Sequence, residues 1–274
     1  MSMNIDASPL THYVKRHTLT TTAPVPKKEK EEVLCSQCPL RLKHPFLDNS
    51  ADEISMVQSL KRREVQLRAD DTLIHEGQTD AALYTLLQGW AFRFKTLKDG
   101  RRQILNFLQP GDFIGVQQKM GDASAHGVVA LTDALFCIFQ QDALWALHQR
   151  SPRMGFNVTW LTAHEESMVD ENLLSVGRRS ALERIASLLI RLFKRAAALQ
   201  DDAGAAGIVF PLTQQHIADS LGLSLVHTNK TLRKLEQQGL HQIVDGRLHL
   251  RNVKALAHLA DLYGDGQPMQ RPLV

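Results

Sequence analysis

A short run of polar and cationic side chains in the C-terminal third of the chain is suited to reading a nucleic-acid duplex. The segment after Ser224 predicts a helix whose outward face carries Val226, His227, Asn229, Lys230 and Arg233. This face offers hydrogen-bond donors and apolar groups over a width that fits the major groove. These groups match the base edges that the groove presents. The pattern therefore predicts a recognition helix for double-stranded DNA, with further contacts from Thr213, Gln214 and Ser224.

The elements around this face predict a complete winged helix-turn-helix. Thr213 occupies an N-cap position, and Gly222 is placed to end the first helix and form the turn to the second. Gly239 is placed to end the second helix. The Asp245-Gly246 dipeptide predicts a two-residue hairpin turn, because both residues tolerate positive φ. The alternative is that two amphipathic helices and a hairpin serve only as generic packing elements.

A basic segment precedes this motif. The net charge of the whole chain is only +3, but residues 178–195 hold Glu183 as their single acid. The cations of this segment are Arg178, Arg179, Arg184, Arg191, Lys194 and Arg195. Such a segment is suited to phosphate contacts, and the alternative is a solvated helix face.

Composition limits the class of protein. A chain of 274 residues with 43% hydrophobic residues is long enough for two globular domains and a connector. It contains no run of eighteen apolar residues and no secretory signal, so we expect no membrane partner. Three cysteines do not make a disulfide framework, which predicts a reducing compartment and a cytoplasmic location.

Residues 62–139 predict an antiparallel sandwich or barrel. Gly77, Gly89, Gly100 and Gly111 lie eleven or twelve residues apart in turn-like contexts. Strand-like runs at 83–86, 91–94, 104–108 and 135–139 lie between or after them. No helix of crossover length intervenes, so a parallel sheet is not expected.

Residues 152–175 predict a long helix that Gly177 breaks. Met154, Leu161 and Met168 repeat every seven residues, with Val158 one turn along. A heptad stripe is typical of a two-helix seam, here between two copies of the chain. The alternative is that the stripe packs against the chain's own barrel.

The chain resembles the Crp/Fnr superfamily of bacterial transcription regulators over residues 35–262. The motifs that carry the resemblance are LYTLLQGWAFRF, PGDFIG at 110–115, GRRSALERIA at 177–186 and LTQQHIADSLGLS. The resemblance implies an α+β fold with an N-terminal antiparallel β-roll like a cyclic-nucleotide-binding domain, a dimerisation helix and a C-terminal winged helix-turn-helix. It also implies a homodimer that binds near-palindromic promoter DNA, works with RNA polymerase and responds to a signal sensed by the β-roll.

The predicted organisation follows from that resemblance. Residues 1–34 are expected to be a disordered segment, 35–150 the β-roll sensor and 151–177 the dimerisation helix. Residues 178–262 are expected to be the winged helix-turn-helix, and 263–274 a flexible tail.

The sequence departs from the family's ligand and operator motifs. Val116 stands where cyclic-nucleotide-binding members carry a glutamate, and Ala123-Ser124-Ala125-His126 stands in the arginine-serine region. Without the guanidinium, cAMP is not the expected ligand. Val226 and Lys230 replace the family's base-reading glutamate and arginine, which implies an operator that differs at the cytosine read by the glutamate.

The cysteines resemble those of the family's oxygen-sensing branch. Cys35, Cys38 and Cys137 match three cluster ligands, and His44 stands in place of the fourth. The resemblance implies an iron–sulfur cluster or a metal ion on these four residues. Redox chemistry of the Cys35/Cys38 pair is the alternative, and Cys137 is also explained as an ordinary core residue.

The chain is not expected to be an enzyme. His75, His126 and His164 show no triad or metal spacing and are interpreted as solvent-facing. The competing hypothesis to a regulator is a redox- or metal-binding sensor module whose helix-turn-helix contacts protein rather than DNA.

Overall fold

Two antiparallel sheets with a long helix behind them precede a small winged motif. The computed structural model describes residues 32–119, 123–140, 142–200, 203–262 and 270–274. The helices are α1 (Ala51–Leu60), α2 (Val116–Lys119), α3 (Ala143–Arg150), α4 (Pro152–Arg178), α5 (Ala181–Ala197), α6 (Ala203–Ala206), α7 (Gln214–Leu221), α8 (Leu225–Gln237) and α9 (Val253–Leu259). The strands are β1 (Lys61–Leu67), β2 (Thr72–Ile74), β3 (Leu83–Gln88), β4 (Ala91–Thr96), β5 (Arg102–Leu108), β6 (Phe113–Ile114), β7 (Gly127–Ala130), β8 (Ala134–Phe139), β9 (Ile208–Val209), β10 (His241–Val244) and β11 (Arg247–Leu250).

Strands β1–β8 form the β-roll. One sheet has the order β1-β8-β3-β6 and the other β2-β7-β4-β5, and all their pairings are antiparallel. Leu86 and Phe136 of the first sheet share a buried core with Ile74 and Val128 of the second. Gly89 adopts φ +87°, and a Cβ there would lie 2.3 Å from the Asp133 carbonyl oxygen. The antiparallel fold predicted from the glycine-separated runs is confirmed.

Helix α4 runs further than its sequence predicts. It continues through Gly177 and ends at Arg178, and the Arg179 N–H still donates to the Ser175 carbonyl at 3.2 Å. The prediction that Gly177 breaks the helix is wrong. A glycine in a helix interior costs only about 1 kcal/mol, which the adjoining turns outweigh here.

The predicted heptad stripe of α4 packs largely within its own chain. Met154, Val158 and Leu161 are buried in the core that α4 shares with α1, α3 and the first sheet. Met168 is half-buried. The sequence left open the alternative that this stripe packs against the chain's own barrel. Met154, Val158 and Leu161 pack in that way. The exposed apolar side chains of α4 are Phe156, Val169, Leu173 and Leu174.

The winged motif follows the predicted plan. Gly222 ends α7 at φ 63°, and Thr228, Leu232 and Leu235 form the buried side of α8. Asp245 and Gly246 adopt φ 50° and 70° in the turn between β10 and β11. Strand β9 adds to this hairpin to complete a small sheet of order β10-β11-β9.

Residues 270–274 are packed rather than free, which differs from the flexible tail expected at 263–274. Leu273 and Val274 are buried in the core beside the first sheet, and the Thr85 hydroxyl donates to the Val274 carbonyl at 2.7 Å. The Arg271 guanidinium lies 5.4 Å from the Phe46 ring centre. Residues 263–269, and residues 1–31 of the predicted disordered segment 1–34, lie outside the described residues. Val33 of that segment is held in place, because its N–H donates to the Glu64 carboxylate at 3.0 Å and its carbonyl accepts from Lys61 at 2.6 Å.

Within the described ranges, no helix is both long enough and apolar enough to cross a membrane.

Candidate nucleic-acid interface

The outward face of α8 is open to solvent. Val226 is 78% exposed, and His227, Lys230 and Arg233 are also exposed. Neither Lys230 nor Arg233 forms an ion pair with any residue in the described part of the chain. Two free cations beside an exposed methyl surface are what a helix needs to approach phosphates and base edges together.

Asn229 is the exception among the predicted base-reading residues. It is half-buried, and its side-chain oxygen is buried without a hydrogen-bond partner among the described residues. It lies at the edge of the exposed face rather than in its centre. A bidentate contact with adenine requires that this oxygen become accessible to the base.

Capping residues fix both helices of the motif. The Ser224 hydroxyl accepts from the His227 N–H at 3.2 Å. Thr213 and His216 form a reciprocal capping box, with both hydrogen bonds at 3.2 Å. Thr213, Gln214 and Ser224 remain exposed at the N-termini of α7 and α8, where backbone N–H groups favour an anion such as a phosphate.

Helix α7 packs against the β-roll through contacts that the sequence did not reveal. The Arg102 guanidinium of β5 donates two hydrogen bonds to the Asp219 carboxylate at 3.0 and 2.8 Å. The Gln103 side chain donates to the Ser220 carbonyl at 3.1 Å. The rings of Phe92 and His216 lie 5.5 Å apart. We call these contacts the roll–α7 joint.

Most of the basic segment 178–195 lies in joints inside the molecule. Arg179 is buried and pairs with Glu171 at 3.1 Å, and Arg184 donates to the Leu221 carbonyl at 3.0 Å. Arg191 donates to the Asn172 side chain at 2.6 Å. Arg178 and Lys194 are exposed. The partners of four arginines in this segment, at positions 179, 184, 191 and 195, are intramolecular. In this arrangement these arginines therefore neither contact phosphates nor form a solvated helix face.

Asp112 joins three distant parts of the chain. Its carboxylate accepts from Arg195 of α5 at 2.6 Å and from Arg271 at 2.8 Å. Burial alone would raise the pKa of Asp112, but Arg195, Arg271 and the Gln109 N–H outweigh it and hold the pKa at about 2. We call Asp112, Arg195 and Arg271 the Asp112 junction.

The interior of the roll contains its own ion pair. Arg93 of β4 is 3% exposed and donates to the Glu165 carboxylate of α4 at 3.0 Å. Burial raises the pKa of Glu165, and Arg93 opposes that rise. Val116 is half-buried and Ser124 is buried at the positions of the family's ligand motif. The expectation that cAMP is not the ligand stays a prediction, and a buried arginine already paired with a carboxylate is consistent with it.

Two of the three histidines predicted to face solvent do not. His126 is 3% exposed, and burial together with Arg93 and Lys95 lowers its pKa to about 4. His164 is half-buried, and its ring stacks on Trp160 at 4.9 Å between centres. His75 is exposed as predicted. The error arose because turn-like sequence around His126 hides its place between the packed sheets.

The cysteines are free thiols in one buried core. Cys35, Cys38 and Cys137 are all buried, while His44 is exposed. Burial raises the pKa of Cys35 and raises that of Cys137 to about 12, although Lys61 opposes both. Across the described ranges, no three histidine, cysteine or acidic side chains are spaced to hold a metal ion. Among the described residues these four therefore do not form a site for a single metal ion. An iron–sulfur cluster on them and redox chemistry of Cys35 and Cys38 stay predictions.

Comparison with known families agrees with this layout. Residues 64–151 match the cyclic nucleotide-binding domain family. Residues 183–259 match the Crp-like helix-turn-helix domain family.

Individual relatives are regulators. The transcriptional activator protein FnrL of Cereibacter sphaeroides is 30% identical over 233 residues, covering 84% of this chain and 92% of that protein. The nitrogen fixation regulation protein FixK of Bradyrhizobium diazoefficiens is 32% identical over 228 residues, covering 81% of this chain and 93% of that protein. The solved structure of FixK2 from Bradyrhizobium japonicum matches with a TM-score of 0.66 at 27% identity, covering 73% of this chain and 97% of that one. None of these three relatives is an enzyme by its description.

Proposed function

We propose that this chain, which belongs to the Crp/Fnr family of transcription regulators, binds promoter DNA as a homodimer and lays α8 of each copy in the major groove of one half-site. The observation that carries the proposal is the exposed α8 face, on which Lys230 and Arg233 form no ion pair with any described residue. Cations left free at the surface gain most when they replace the counterions of a phosphate backbone. A helix that served only protein contacts would not need them.

The dimer seam is proposed on a different face of α4 from the one the heptad stripe indicated. Leu173 is 70% exposed and Val169 is 41% exposed, and the two lie four residues apart. Val176 extends this stripe by three residues and is half-buried. Apolar side chains at four- and three-residue spacing form one helix stripe, which a second copy can cover.

Base reading is tested by selecting bound sequences from a random duplex library. We expect paired half-sites that differ from the family's usual half-site at the cytosine read by a glutamate, because Val226 packs on a thymine methyl instead. Recovery of the usual half-site unchanged would contradict the proposed reading.

DNA binding itself is tested by gel retardation of a selected site at several salt concentrations. Lys230→Ala should weaken binding at least tenfold, because it removes a groove-facing donor. The matched control is Lys98→Ala in the β4–β5 turn, which removes an equally exposed lysine far from α8 in sequence and should leave affinity unchanged. A protein-contact module would be favoured instead if the two variants lost the same amount of DNA affinity. It would also be favoured if the wild-type protein did not retard the DNA at all.

Dimerisation is tested by sedimentation of Leu173→Glu. We expect monomers that remain folded, since the side chain is exposed in the single chain. Leu42→Glu, at a site that is 88% exposed and outside α4, is the control and should remain dimeric. Leu161→Lys should instead unfold the chain, because Leu161 is 9% exposed within its own core. A dimeric Leu173→Glu protein would place the seam elsewhere.

Signal sensing by the roll and contact with RNA polymerase remain predictions of family membership. The hypothesis of a redox or metal module has less support, because burial raises the pKa of Cys35 and Cys137 and so disfavours the thiolate that such chemistry needs.

A further inference from the structure

A cavity of about 270 Å³ lies where the roll, α4, α5 and α7 meet. Its walls come from four helices and strands: Ile104–Phe107 of β5; His164, Met168 and Asn172 of α4; Leu188, Arg191, Leu192, Lys194 and Arg195 of α5; and Ser220 and Leu221 at the end of α7. Half of the lining residues are apolar, and most of the surface that the lining presents to the cavity is apolar. An engineered cavity of about 150 Å³ holds benzene, so this one has room for a body of about six to eight carbon atoms.

Two hydrogen-bond donors in this wall have no acceptor. Asn106 is 8% exposed, and its side-chain NH₂ has no partner in the described part of the chain. The Nε–H of Arg191 is also buried and unpartnered there. A buried donor without an acceptor is unfavourable, so two of them on residues that line one cavity point to an acceptor that is supplied from outside.

The charge of the wall is positive and incompletely balanced. Arg195 is neutralised by Asp112, but Arg191 has only the neutral Asn172 oxygen as a hydrogen-bond partner among the described residues. Burial, together with Arg179 and Arg195, lowers the pKa of Arg191, although Glu171 opposes this. Lys194 adds a further, exposed cation to the lining. A desolvated guanidinium that lacks a carboxylate is stabilised by an anion.

We propose that this cavity binds a small organic carboxylate with an apolar body, whose head group faces Arg191 and Asn106. Arg191 supplies a charged donor that matches a carboxylate, and the aliphatic wall excludes water from the body of the ligand. This role is distinct from a ligand site inside the roll. No described residue between β6 and β7, where the family's cyclic-nucleotide motif lies, lines the cavity. The proposed seam residues Val169 and Leu173 do not line it either.

The test is calorimetric titration of the full chain with sodium octanoate, in the absence of DNA. Octan-1-ol provides the body without the charge, and sodium acetate provides the charge without the body. We expect octanoate to bind at least tenfold more tightly than either. The titration involves no DNA, so its failure is distinguishable from failure of the proposed regulator function.

Two variants locate the binding site. Arg191→Gln should weaken octanoate binding at least tenfold and leave octanol binding unchanged. Asn106→Leu, which removes the second donor and adds apolar volume, should weaken octanoate binding several-fold. Arg101→Gln in the β4–β5 turn is the matched control, because Arg101 is exposed and pairs only with the equally exposed Asp99.

Each result decides the proposal. Octanoate binding no tighter than octanol or acetate would overturn it, as would octanoate binding unaffected by either substitution. If Arg191→Gln fails to fold, the Asn106→Leu titration and the wild-type comparison of the three probes still decide between binding here and no binding.

Discussion

The two helices of the helix-turn-helix have opposite surroundings. Helix α7 is held on the roll by the Arg102–Asp219 pair and the Phe92–His216 ring contact, whereas Val226, His227, Lys230 and Arg233 on the outward face of α8 are exposed to solvent. Both helices are amphipathic, but α7 carries no lysine or arginine, whereas α8 carries Lys230, Arg233 and Lys234. This difference indicates that α7 attaches the winged motif to the β-roll, whereas the face of α8 is accessible to DNA. Substitutions on α7 should change stability and the coupling between the domains. Substitutions on the outward face of α8 should change only DNA binding.

The largest effect is expected at the Asp112 junction, which holds α5 and residues 270–274 on the roll. Asp112→Asn should lower the free energy of unfolding by about 3 kcal/mol at pH 7, because it leaves two arginines near a neutral amide. Urea unfolding measures this, and Asp99→Asn at an exposed ion pair is the control, with an expected change near zero.

The same junction predicts how stability depends on pH. The pKa of Asp112 is lowered from 3.8 to about 2 in the folded chain, so its contribution is complete above pH 3.8 and is lost as the pH falls toward 2. The stability difference between wild type and Asp112→Asn should therefore narrow over that range. A constant difference down to pH 2 would contradict the assignment.

On the readout side, Val226→Glu should change which base is preferred. A carboxylate accepts from cytosine but gains nothing from a thymine methyl, so preference should shift toward cytosine by about 2 kcal/mol. Competition between duplexes that differ at that one position measures the shift. Thermal unfolding should not change, since Val226 is 78% exposed.

Arg233→Ala should weaken binding about tenfold on all sequences and reduce the salt dependence of affinity by about one phosphate contact. Retardation of a specific and a random duplex at several salt concentrations separates this from base reading. A loss confined to the specific duplex would place Arg233 on a base edge instead.

The smallest effect is expected at the roll–α7 joint. A double-mutant cycle of Arg102→Ala and Asp219→Ala should give a coupling energy of about 1 kcal/mol in unfolding, since the pair is only partly buried. The equivalent cycle on Arg101 and Asp99 should give a value near zero. Equal coupling in both cycles would mean that α7 is not held by this pair.

The sequence predicted the local elements well and the long-range joints hardly at all. Caps, turns and the buried stripe of α8 follow from residues within one or two helical turns of each other, so Thr213, Gly222 and Asp245-Gly246 identified them. Arg102 and Asp219 lie 117 residues apart, and no local period links them. Periodicity also identified apolar residues of α4 correctly, but it did not show which neighbour covers them. A stripe of apolar residues at helical spacing packs equally well against the chain's own sheet or against a second copy of α4.

The packing of residues 271–274 against the roll has a consequence for biosynthesis. Thr85 lies 189 residues before Val274, and Asp112 lies 159 before Arg271. A chain emerging from the ribosome therefore forms both sheets long before these partners exist. We expect the apolar surface beside Phe46 to stay exposed until translation reaches residue 271. Chaperones that recognise exposed hydrophobic surface can bind the roll during that interval.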